Sequence, residues 1–533
     1  MKSSHAESVI EKAMTREILQ VVTKGFSMIE LPLYTAKKYL NHFICSLLVL
    51  LQPGDGYLTA QSPTPPPSSK QAKVFMAGAA TSNITPRIGT SINGNMEDAR
   101  IENIHDEIHA RAIVLDDGVT RLAIVVADLC MVSREILDEA KRLAHGKTRI
   151  AVENMMISAT HTHSAGTACS VFQSDPDPGY VTFLGERISD AIIRANKNLQ
   201  PARIGWGTGQ EPGQVFNRRW NMKPGTVLLN PFGTHDKVLM NPGIKNPNLL
   251  SPAGPTDPEV SIVSIQSLRG EPIALLANYS LHYVGGTGNG DISADYYGMF
   301  ADKMKQLLKA DYQELPFVAI MSNGTSGNIN NVDFGGERPG IRTPYSQMKR
   351  VANIIAAEAY KVLASVNYQD WISLGCQQKQ IALGVRLPGS DEVKRAKEII
   401  AKAKGPIMKT KEEIYARETV LIANYPKQVS IILQAFRLGD LAITAIPCEV
   451  FVETGLELKA KSPFKPTFNI SLANGYNGYL PTPQHHELGG YETWRARSSY
   501  LEVGASSKIT ETLFQLLETL KKSRLTEQTI SSN

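Results

Sequence analysis

The segment His161-Thr162-His163 carries the side chains of this sequence that are best suited to chemistry. It follows an apolar run over residues 150–157, which predicts a buried strand, and it is followed directly by small residues (164–166). Because side chains alternate faces along an extended chain, both imidazoles should project from one face of the strand end. Two such imidazoles can supply two metal ligands, or one ligand beside one acid or base. A lone histidine is usually structural, so this interpretation needs partner residues elsewhere in the chain.

Two further apolar runs end in residues that bind metals. The run 273–281 leads directly into His282, and the run 441–446 leads through Pro447-Cys448 into Glu449. A carboxylate next to so apolar a strand is costly unless a cation meets it. Each residue alone has a structural explanation, but two histidines and a glutamate together are typical of a zinc site that keeps one position for water. Such a water ionises near neutral pH and becomes a nucleophile.

A Gly- and Pro-rich segment over residues 474–492 adds phenol groups to these candidates. Its tyrosines, Tyr476, Tyr479 and Tyr491, can ligate a metal or donate a hydrogen bond to an oxyanion, and they can equally be amphipathic wall residues. The same segment contains His485-His486. Since adjacent side chains diverge in direction, we predict that this pair lies on the surface.

The rest of the chain alternates strand-like and helix-like segments, which predicts an α/β fold with a mixed β-sheet core, flanking helices and long Gly/Pro-rich active-site loops. Hairpins are predicted where apolar runs flank Asp116-Asp117-Gly118 and Leu438-Gly439-Asp440. Residues 206–256, rich in Gly, Pro and Asn, should form a wall of the active site. Further strands are predicted over residues 260–265 and 273–281, and helices over residues 134–144, 180–199, 294–308, 345–364, 390–403, 411–422 and 506–520.

The composition excludes several classes of function. The 533 residues are 42% hydrophobic and carry a formal net charge of +5 that is not gathered into a basic stripe, so no nucleic-acid partner is expected. Residues 285–290 are Gly-rich but lack the G-x-G-x-x-G spacing of a dinucleotide site. The five cysteines form no C-x-x-C pair and are too few and scattered for a disulfide framework, although one bridge among the last four stays open for an exported protein. No pattern indicates an oligomeric state.

Residues 1–60 are predicted to be an N-terminal extension with a signal peptide ending near Ala60, which implies a secreted or periplasmic protein. Lys37-Lys38 precede a short apolar run over residues 43–51, far below the roughly 20 residues that span a bilayer, so no transmembrane span is expected. Met28 would be a natural start for a signal of ordinary length, and a buried helix of a cytosolic protein is the alternative. A stiff Pro/Ser-rich linker (61–72), a hydrolase domain (73–525) and a polar tail (526–533) are expected to follow.

Several motifs, in order over roughly residues 75–520, resemble those of the neutral/alkaline non-lysosomal ceramidases, and in particular their N-terminal catalytic domain. The motifs are Ala159-Thr160-His161-Thr162-His163-Ser164, Asn217-Arg218, Asp257-Pro258-Glu259-Val260, Ala277-Asn278-Tyr279-Ser280-Leu281-His282, Ile446-Pro447-Cys448-Glu449, and Gly478-Tyr479 through Tyr491-Glu492. The resemblance implies an α/β catalytic domain that holds one zinc ion through His161, His282, Glu449 and Tyr479. It also implies that His163 handles the proton, that Tyr491 faces the developing oxyanion and that Arg218 helps to place the substrate.

Two departures from the family pattern bear on the substrate. The family's Gly-Asp-x-Ser-Pro run aligns with Gly327-Asn328-Ile329-Asn330-Asn331, so Asn330 stands in place of the active-site serine, and Asn328 in place of the aspartate. Asn330 could still hydrogen-bond a hydroxyl or carbonyl group of the substrate. The β-sandwich domain that follows the catalytic domain in ceramidases is expected to be missing. We therefore expect the metal chemistry to be kept, whereas the lipid specificity need not be.

The leading hypothesis is a zinc-dependent hydrolase of the C–N bond in a small-molecule or lipid amide, resembling the neutral ceramidases that convert N-acylsphingosine to sphingosine and a fatty acid. A metal-activated water would attack, and His163 would carry its proton to the leaving amine. Zinc and Tyr491 would stabilise the oxyanion, each well-placed donor contributing on the order of 3 kcal/mol. One alternative is a secreted zinc esterase, lactonase or deacylase acting on a polar or sugar-derived substrate. A second alternative is a non-catalytic binding protein that retains the fold.

Overall fold

A computed structural model describes residues 73–337 and 343–532, with side chains as far as Arg524. The predicted signal peptide, the start at Met28 and the Pro/Ser-rich linker lie outside the described residues. Within the described part of the chain, no helix combines the length and the apolar character needed to cross a bilayer.

The largest sheet has eight strands and is mixed. Both edge strands run parallel to their neighbours, whereas the inner strands pair antiparallel, as in the predicted hairpin through Gly118. The edge strand Met155–Ala159 is buried along its whole length, which explains why its sequence is a continuous apolar run rather than an alternating one. In spatial order the strands are Val318–Asn323, Pro272–Tyr279, Glu259–Ser267, Gln200–Gln210, Met76–Asn83, His109–Asp116, Arg121–Ala127 and Met155–Ala159.

A second sheet of four strands packs on one face of the first. Its strands, in spatial order, are Leu374–Gly384, Gln428–Leu438, Leu441–Ile446 and Thr467–Ser471. Residues from both sheets form one buried apolar cluster, in which Val126 and Ile204 of the large sheet meet Ile443 and Phe468 of the second. The two sheets therefore bury their facing sides against each other.

Helices cover the two outer faces, so the layers run helix, sheet, sheet, helix. On the large sheet the helices are Arg134–Thr148, Pro178–Lys197, Asp295–Leu307 and Ser346–Leu363, and on the second sheet the helix is Ala505–Ser532. The remaining helices are Ser390–Ala401, Lys411–Ile422, Val452–Lys461 and Pro483–Leu488. Helix Lys411–Ile422 begins with a capping box, in which Thr410 and Glu413 bond each other's backbone N–H groups.

The predicted α/β class, with its mixed sheet and flanking helices, is confirmed. The long excursion after Gln210 contains a small sheet of three strands, Arg219–Met222, Val238–Met240 and Leu249–Pro252. Short strand pairs and turns of 3-10 helix make up the other elements: Ser91–Ile92, Ala99–Arg100, Asn103–Ile104, Phe216–Asn217, Asp291–Ile292, Ile329–Asn330, Glu449–Val450, Tyr479–Leu480, Val152–Asn154, Pro212–Gln214 and Tyr491–Thr493.

Candidate metal centre

His161 lies just beyond the buried edge strand, where the chain turns sharply. The strand ends at Ala159, and His161 adopts a left-handed backbone conformation with φ of 78°. Its Nδ1 atom lies 2.7 Å from the carbonyl oxygen of Cys130, which can only accept a hydrogen bond. Nδ1 therefore carries the hydrogen, and the lone pair of Nε2 points into the site.

His282 is oriented in the same way from the neighbouring region of the large sheet. It follows the strand Pro272–Tyr279, and its Nδ1 donates to the carbonyl oxygen of Ser326 at 3.0 Å. Its Nε2 atom lies 3.1 Å from Nε2 of His161. Two lone pairs thus face each other across a short gap, which is unfavourable unless a proton or a cation lies between them.

Glu449 brings a carboxylate from the second sheet to the same point. Its Oε2 atom lies 3.1 Å from Nε2 of His161 and 3.9 Å from Nε2 of His282. Oε2 is buried and has no hydrogen-bond partner among the residues that the structure describes. Tetrahedral zinc with Zn–N bonds of about 2.0–2.1 Å spaces its ligand atoms about 3.3 Å apart. The three side chains therefore fit a divalent cation of that size, and they form a potential metal-binding group.

His163 lies next to these three candidate ligands. Its Nε2 atom is 3.2 Å from Nε2 of His161, and the two rings meet edge to face. Burial, together with His161 and Arg218, holds the pKa of His163 well below its usual range. The imidazoles are close, as expected, but the predicted reason is wrong: both histidines lie outside the strand, and the left-handed turn at His161 brings the rings together.

Tyr479 lies in register with Glu449, because the short strands Glu449–Val450 and Tyr479–Leu480 pair in parallel. Its ring lies 5.5 Å from the guanidinium of Arg218. Burial and the neighbouring carboxylate of Glu449 raise the pKa of Tyr479 well above its usual value. Tyr491 packs edge to face against it, with ring centroids 5.8 Å apart.

Two adjacent arginines share one buried carboxylate at the edge of the site. Arg218 Nε donates to Glu492 at 2.9 Å, and Arg219 Nη1 donates to the other oxygen of Glu492 at 2.7 Å. Arg218 also reaches the site itself, with Nη1 3.4 Å from Nε2 of His282 and Nη2 donating to the carbonyl oxygen of Gly327. The paired carboxylate thus fixes Arg218 where it can contact a ligand.

A cavity of about 430 Å³ opens on the side of Tyr491. Its apolar walls come from the excursion after Gln210 and from the Tyr491 segment, and they include Leu228, Val238, Met240, Tyr491 and Trp494. Charged side chains also line it: Asp236, Arg395, Lys411 and Glu412. The excursion that was expected to form a wall of the active site thus supplies Leu228, Val238 and Met240 to the cavity that Tyr491 also lines. Such a cavity suits an apolar group of a ligand.

Asn330 and His485 are two further residues named from the sequence, and each is paired with another side chain. The amide of Asn330 donates to the side chain of Asn241, whose backbone N–H bonds the carbonyl oxygen of Arg218. The short strand Ile329–Asn330 also pairs with Phe216–Asn217, directly before Arg218, so Asn330 adjoins the site through Arg218. His485 is buried, against the prediction of a surface pair, because helix Val452–Lys461 presents Glu453 to its Nε2 at 3.3 Å.

Several contacts at the site were not predicted from the sequence, although Tyr476 was named there as a candidate. Tyr476 donates from its hydroxyl to Oε1 of Glu449, Tyr283 stacks on His163, and the buried thiol of Cys130 lies 3.7 Å from Nδ1 of His161. Burial raises the pKa of this thiol. Four cysteines, Cys130, Cys169, Cys376 and Cys448, are free thiols.

Residues 75–337 match the sequence model of the family described as neutral/alkaline non-lysosomal ceramidase, N-terminal. These residues belong to the N-terminal domain of this family. The ceramidase resemblance inferred from the motifs around His161 and His282 is thus confirmed.

Neutral ceramidases of two organisms align with this chain at low identity. Neutral ceramidase A of Dictyostelium discoideum is 24% identical over 278 residues, which is 48% of this chain and 36% of that protein. The neutral ceramidase of Pseudomonas aeruginosa is 22% identical over 452 residues, or 73% of this chain and 64% of that protein. A crystal structure of the Pseudomonas enzyme is similar with a TM-score of 0.63 at 18% identity, covering 85% of this chain and 75% of that one. The fold is therefore shared.

Proposed function

We propose that this chain is a zinc-dependent hydrolase that cleaves the C–N bond of an N-acyl lipid of the ceramide type. One observation carries the proposal: within residues 73–337 and 343–532, the buried Oε2 of Glu449 has no hydrogen-bond partner, and it faces the Nε2 atoms of His161 and His282. Membership of the ceramidase family supports the substrate class. Because the chain spans 36% and 64% of the two relatives, their activity is extended to it here as a proposal.

His161, His282, Glu449 and Tyr479 would hold the zinc ion. The ion supplies a Lewis acid and lowers the pKa of a coordinated water to near neutrality. The backbone carbonyls of Cys130 and Ser326 fix the two imidazoles with their lone pairs turned inward, so the site needs little reorganisation to bind a cation.

The neighbouring side chains would orient the amide and move the proton. His163 accepts a proton at Nε2 from the attacking water and returns it to the leaving amine, which departs with the C–N bond pair. The hydroxyl of Tyr491 donates to the carbonyl oxygen as negative charge develops there. Arg218, held by Glu492, contacts a polar group of the substrate, and the apolar cavity beside Tyr491 takes a hydrocarbon chain.

A second candidate function is favoured by Asn330. An ester, lactone or N-acetyl group of a polar or sugar-derived substrate offers the same carbonyl chemistry without the lipid recognition that the family's serine motif provides. Asn330 and Asn241 present exposed amide groups near Arg218, which suit hydrogen bonds to such a substrate. We also propose that the protein is secreted or periplasmic, on the basis of residues 37–60.

Metal analysis of matched variants tests the zinc centre. We expect the purified wild-type protein to hold about one equivalent of zinc, and His161→Ala and Glu449→Ala to lose both the zinc and the activity. His163→Ala should keep the zinc and lose rate. His145→Ala is the control, because its imidazole bonds the carbonyl oxygen of Ile150 away from the site. Full zinc occupancy in His161→Ala would rule out this ligand set.

A substrate panel separates the candidate functions. The zinc-loaded protein is assayed on N-hexanoylsphingosine, on short acyl esters and lactones, and on N-acetyl sugars. Hydrolysis of the sphingolipid at the highest kcat/KM supports the leading proposal, whereas turnover of the esters or sugars alone supports the second candidate. A zinc-loaded, folded protein that turns over none of them fits the non-catalytic alternative.

A further inference from the structure

The two oxygens of the Glu449 carboxylate lie in different surroundings. Oε1 accepts a hydrogen bond from the hydroxyl of Tyr476 at 2.9 Å. Oε2 has no hydrogen-bond partner in the described part of the chain and lies 3.1 Å from Nε2 of His161. Oε1 is thus held by the Tyr476 hydroxyl, and Oε2 is available to a cation.

The loop that carries Tyr476 is fixed on both sides of this residue. On one side, the backbone N–H of Asn474 donates to the carbonyl oxygen of Ile157 at 2.7 Å, in the strand that leads to His161. On the other side, the backbone N–H of Asn477 donates to the carbonyl oxygen of Pro447 at 2.8 Å, two residues before Glu449. The loop therefore bridges the two segments that supply His161 and Glu449, and the Tyr476 hydroxyl has little freedom to move away from the carboxylate.

We propose that Tyr476 is a positioning residue that keeps Glu449 a one-oxygen ligand of the metal. The inference rests on the proposed metal centre. By occupying Oε1, the Tyr476 hydroxyl stops the carboxylate from turning and offers Oε2 alone to the ion. A carboxylate that bound through both oxygens would fill the position that a catalytic zinc site keeps open for water. Partners of a ligating carboxylate hold it in place and typically change metal affinity 10–100-fold when they are removed.

The test removes only the hydroxyl, in Tyr476→Phe, and measures the dissociation constant of Zn²⁺ by competition with a chromophoric chelator. We expect the constant to rise about 10–100-fold, because the carboxylate loses the donor that orients it. The thermal midpoint of the chelator-treated protein is measured alongside to record any general loss of stability.

Tyr180→Phe is the matched control. Like the hydroxyl of Tyr476, that of Tyr180 donates a hydrogen bond to another part of the protein, in this case to the carbonyl oxygen of Ile84 at 2.8 Å. A purely structural role for Tyr476 predicts that both variants lower the thermal midpoint and leave Zn²⁺ affinity alone. The proposal predicts that affinity falls in Tyr476→Phe and is unchanged in Tyr180→Phe.

The outcomes separate this inference from the proposed function. If wild-type protein binds Zn²⁺ and Tyr476→Phe binds it within twofold as tightly, the role of Tyr476 is overturned and the metal centre stands. If folded wild-type protein binds no Zn²⁺, both proposals fail. If both tyrosine variants lose affinity equally, the effect is one of stability, and the role of Tyr476 is again overturned.

Discussion

The ring of Tyr283 stacks on the ring of His163, with centroids 3.7 Å apart and the planes inclined by 15°. Gly94 also lies close to His163: a Cβ atom built on this glycine would be 2.6 Å from Cγ of the histidine. The imidazole is therefore confined between an aromatic ring and a glycine. This confinement fixes the direction in which His163 can present Nε2 to a substrate.

Gly94→Ala tests whether this confinement matters for catalysis. The added methyl must displace the His163 ring, and a displacement of about 1 Å at a catalytic group can lower the rate about 100-fold. We expect zinc content to be unchanged and kcat to fall about 10–100-fold, measured by metal analysis and steady-state kinetics on the best substrate.

The control for Gly94→Ala is Gly118→Ala. Both glycines have positive φ, 114° and 87°, so alanine strains the backbone at either position. A Cβ atom at Gly118 meets nothing within 4 Å. Equal losses of kcat in the two variants would mean that backbone strain, and not displacement of His163, is the cause.

Glu492→Gln should destabilise the whole fold. The substitution removes the negative charge that Arg218 and Arg219 share in the interior, and breaking a buried ion pair from one side typically costs about 3–5 kcal/mol. Urea denaturation measures the change. Glu139→Gln, which breaks an exposed ion pair with Arg142, should leave the urea midpoint of unfolding unchanged. Superimposable curves for the two variants would contradict the importance of the buried pair.

The stability of the protein should depend on pH through Asp295. Burial raises the pKa of this carboxyl to about 6, although the backbone N–H groups of Val284, Gly285 and Tyr296 oppose the shift. A raised carboxyl pKa means that the folded state binds the extra proton. The protonated carboxyl therefore adds on the order of 3 kcal/mol to the free energy of unfolding. This contribution is fully present below about pH 4 and is lost as the pH rises through about 6.

Asp295→Asn removes this titration, and asparagine tolerates the left-handed conformation that residue 295 adopts, with φ of 56°. We expect the unfolding free energy of wild-type protein to fall, relative to that of the variant, between pH 4 and pH 7. Parallel pH profiles from urea titrations would show that Asp295 does not carry the effect.

Removal of the metal should lower the thermal stability. A ligand that binds only the folded state at about 100 times its dissociation constant adds about 2.7 kcal/mol. Chelator should therefore lower the thermal midpoint of wild-type protein, and added Zn²⁺ should restore it. His161→Ala should respond to neither, and a chelator response of wild-type size in that variant would place the bound metal elsewhere.

The elements that bring the donors together could be predicted from the sequence because their signals are local. The apolar runs before His161, His282 and Glu449 are strands or lead out of strands, and each ends close to its candidate metal ligand. Helices with clear apolar spacing and end signals were predictable, as in Arg134–Thr148, which has Glu135 in its first turn and Lys147 in its last.

The contacts that finish the site could not be predicted, because they join segments that are distant in the chain. The bond from Tyr476 to Glu449 depends on the path of a loop, and the sharing of Glu492 by Arg218 and Arg219 depends on two loops meeting. His485 was misplaced for the same reason, since its burial depends on Glu453 in another helix.

The donors of the centre come from both sheets, His161 and His282 from the large one and Glu449 from beyond a strand of the second. Synthesis delivers the two imidazoles first and the carboxylate much later. If the proposed ligand set is right, a nascent chain could not assemble the complete centre, and a newly made molecule would acquire its ion only after the second sheet has docked. Metal loading would thus report the completion of folding.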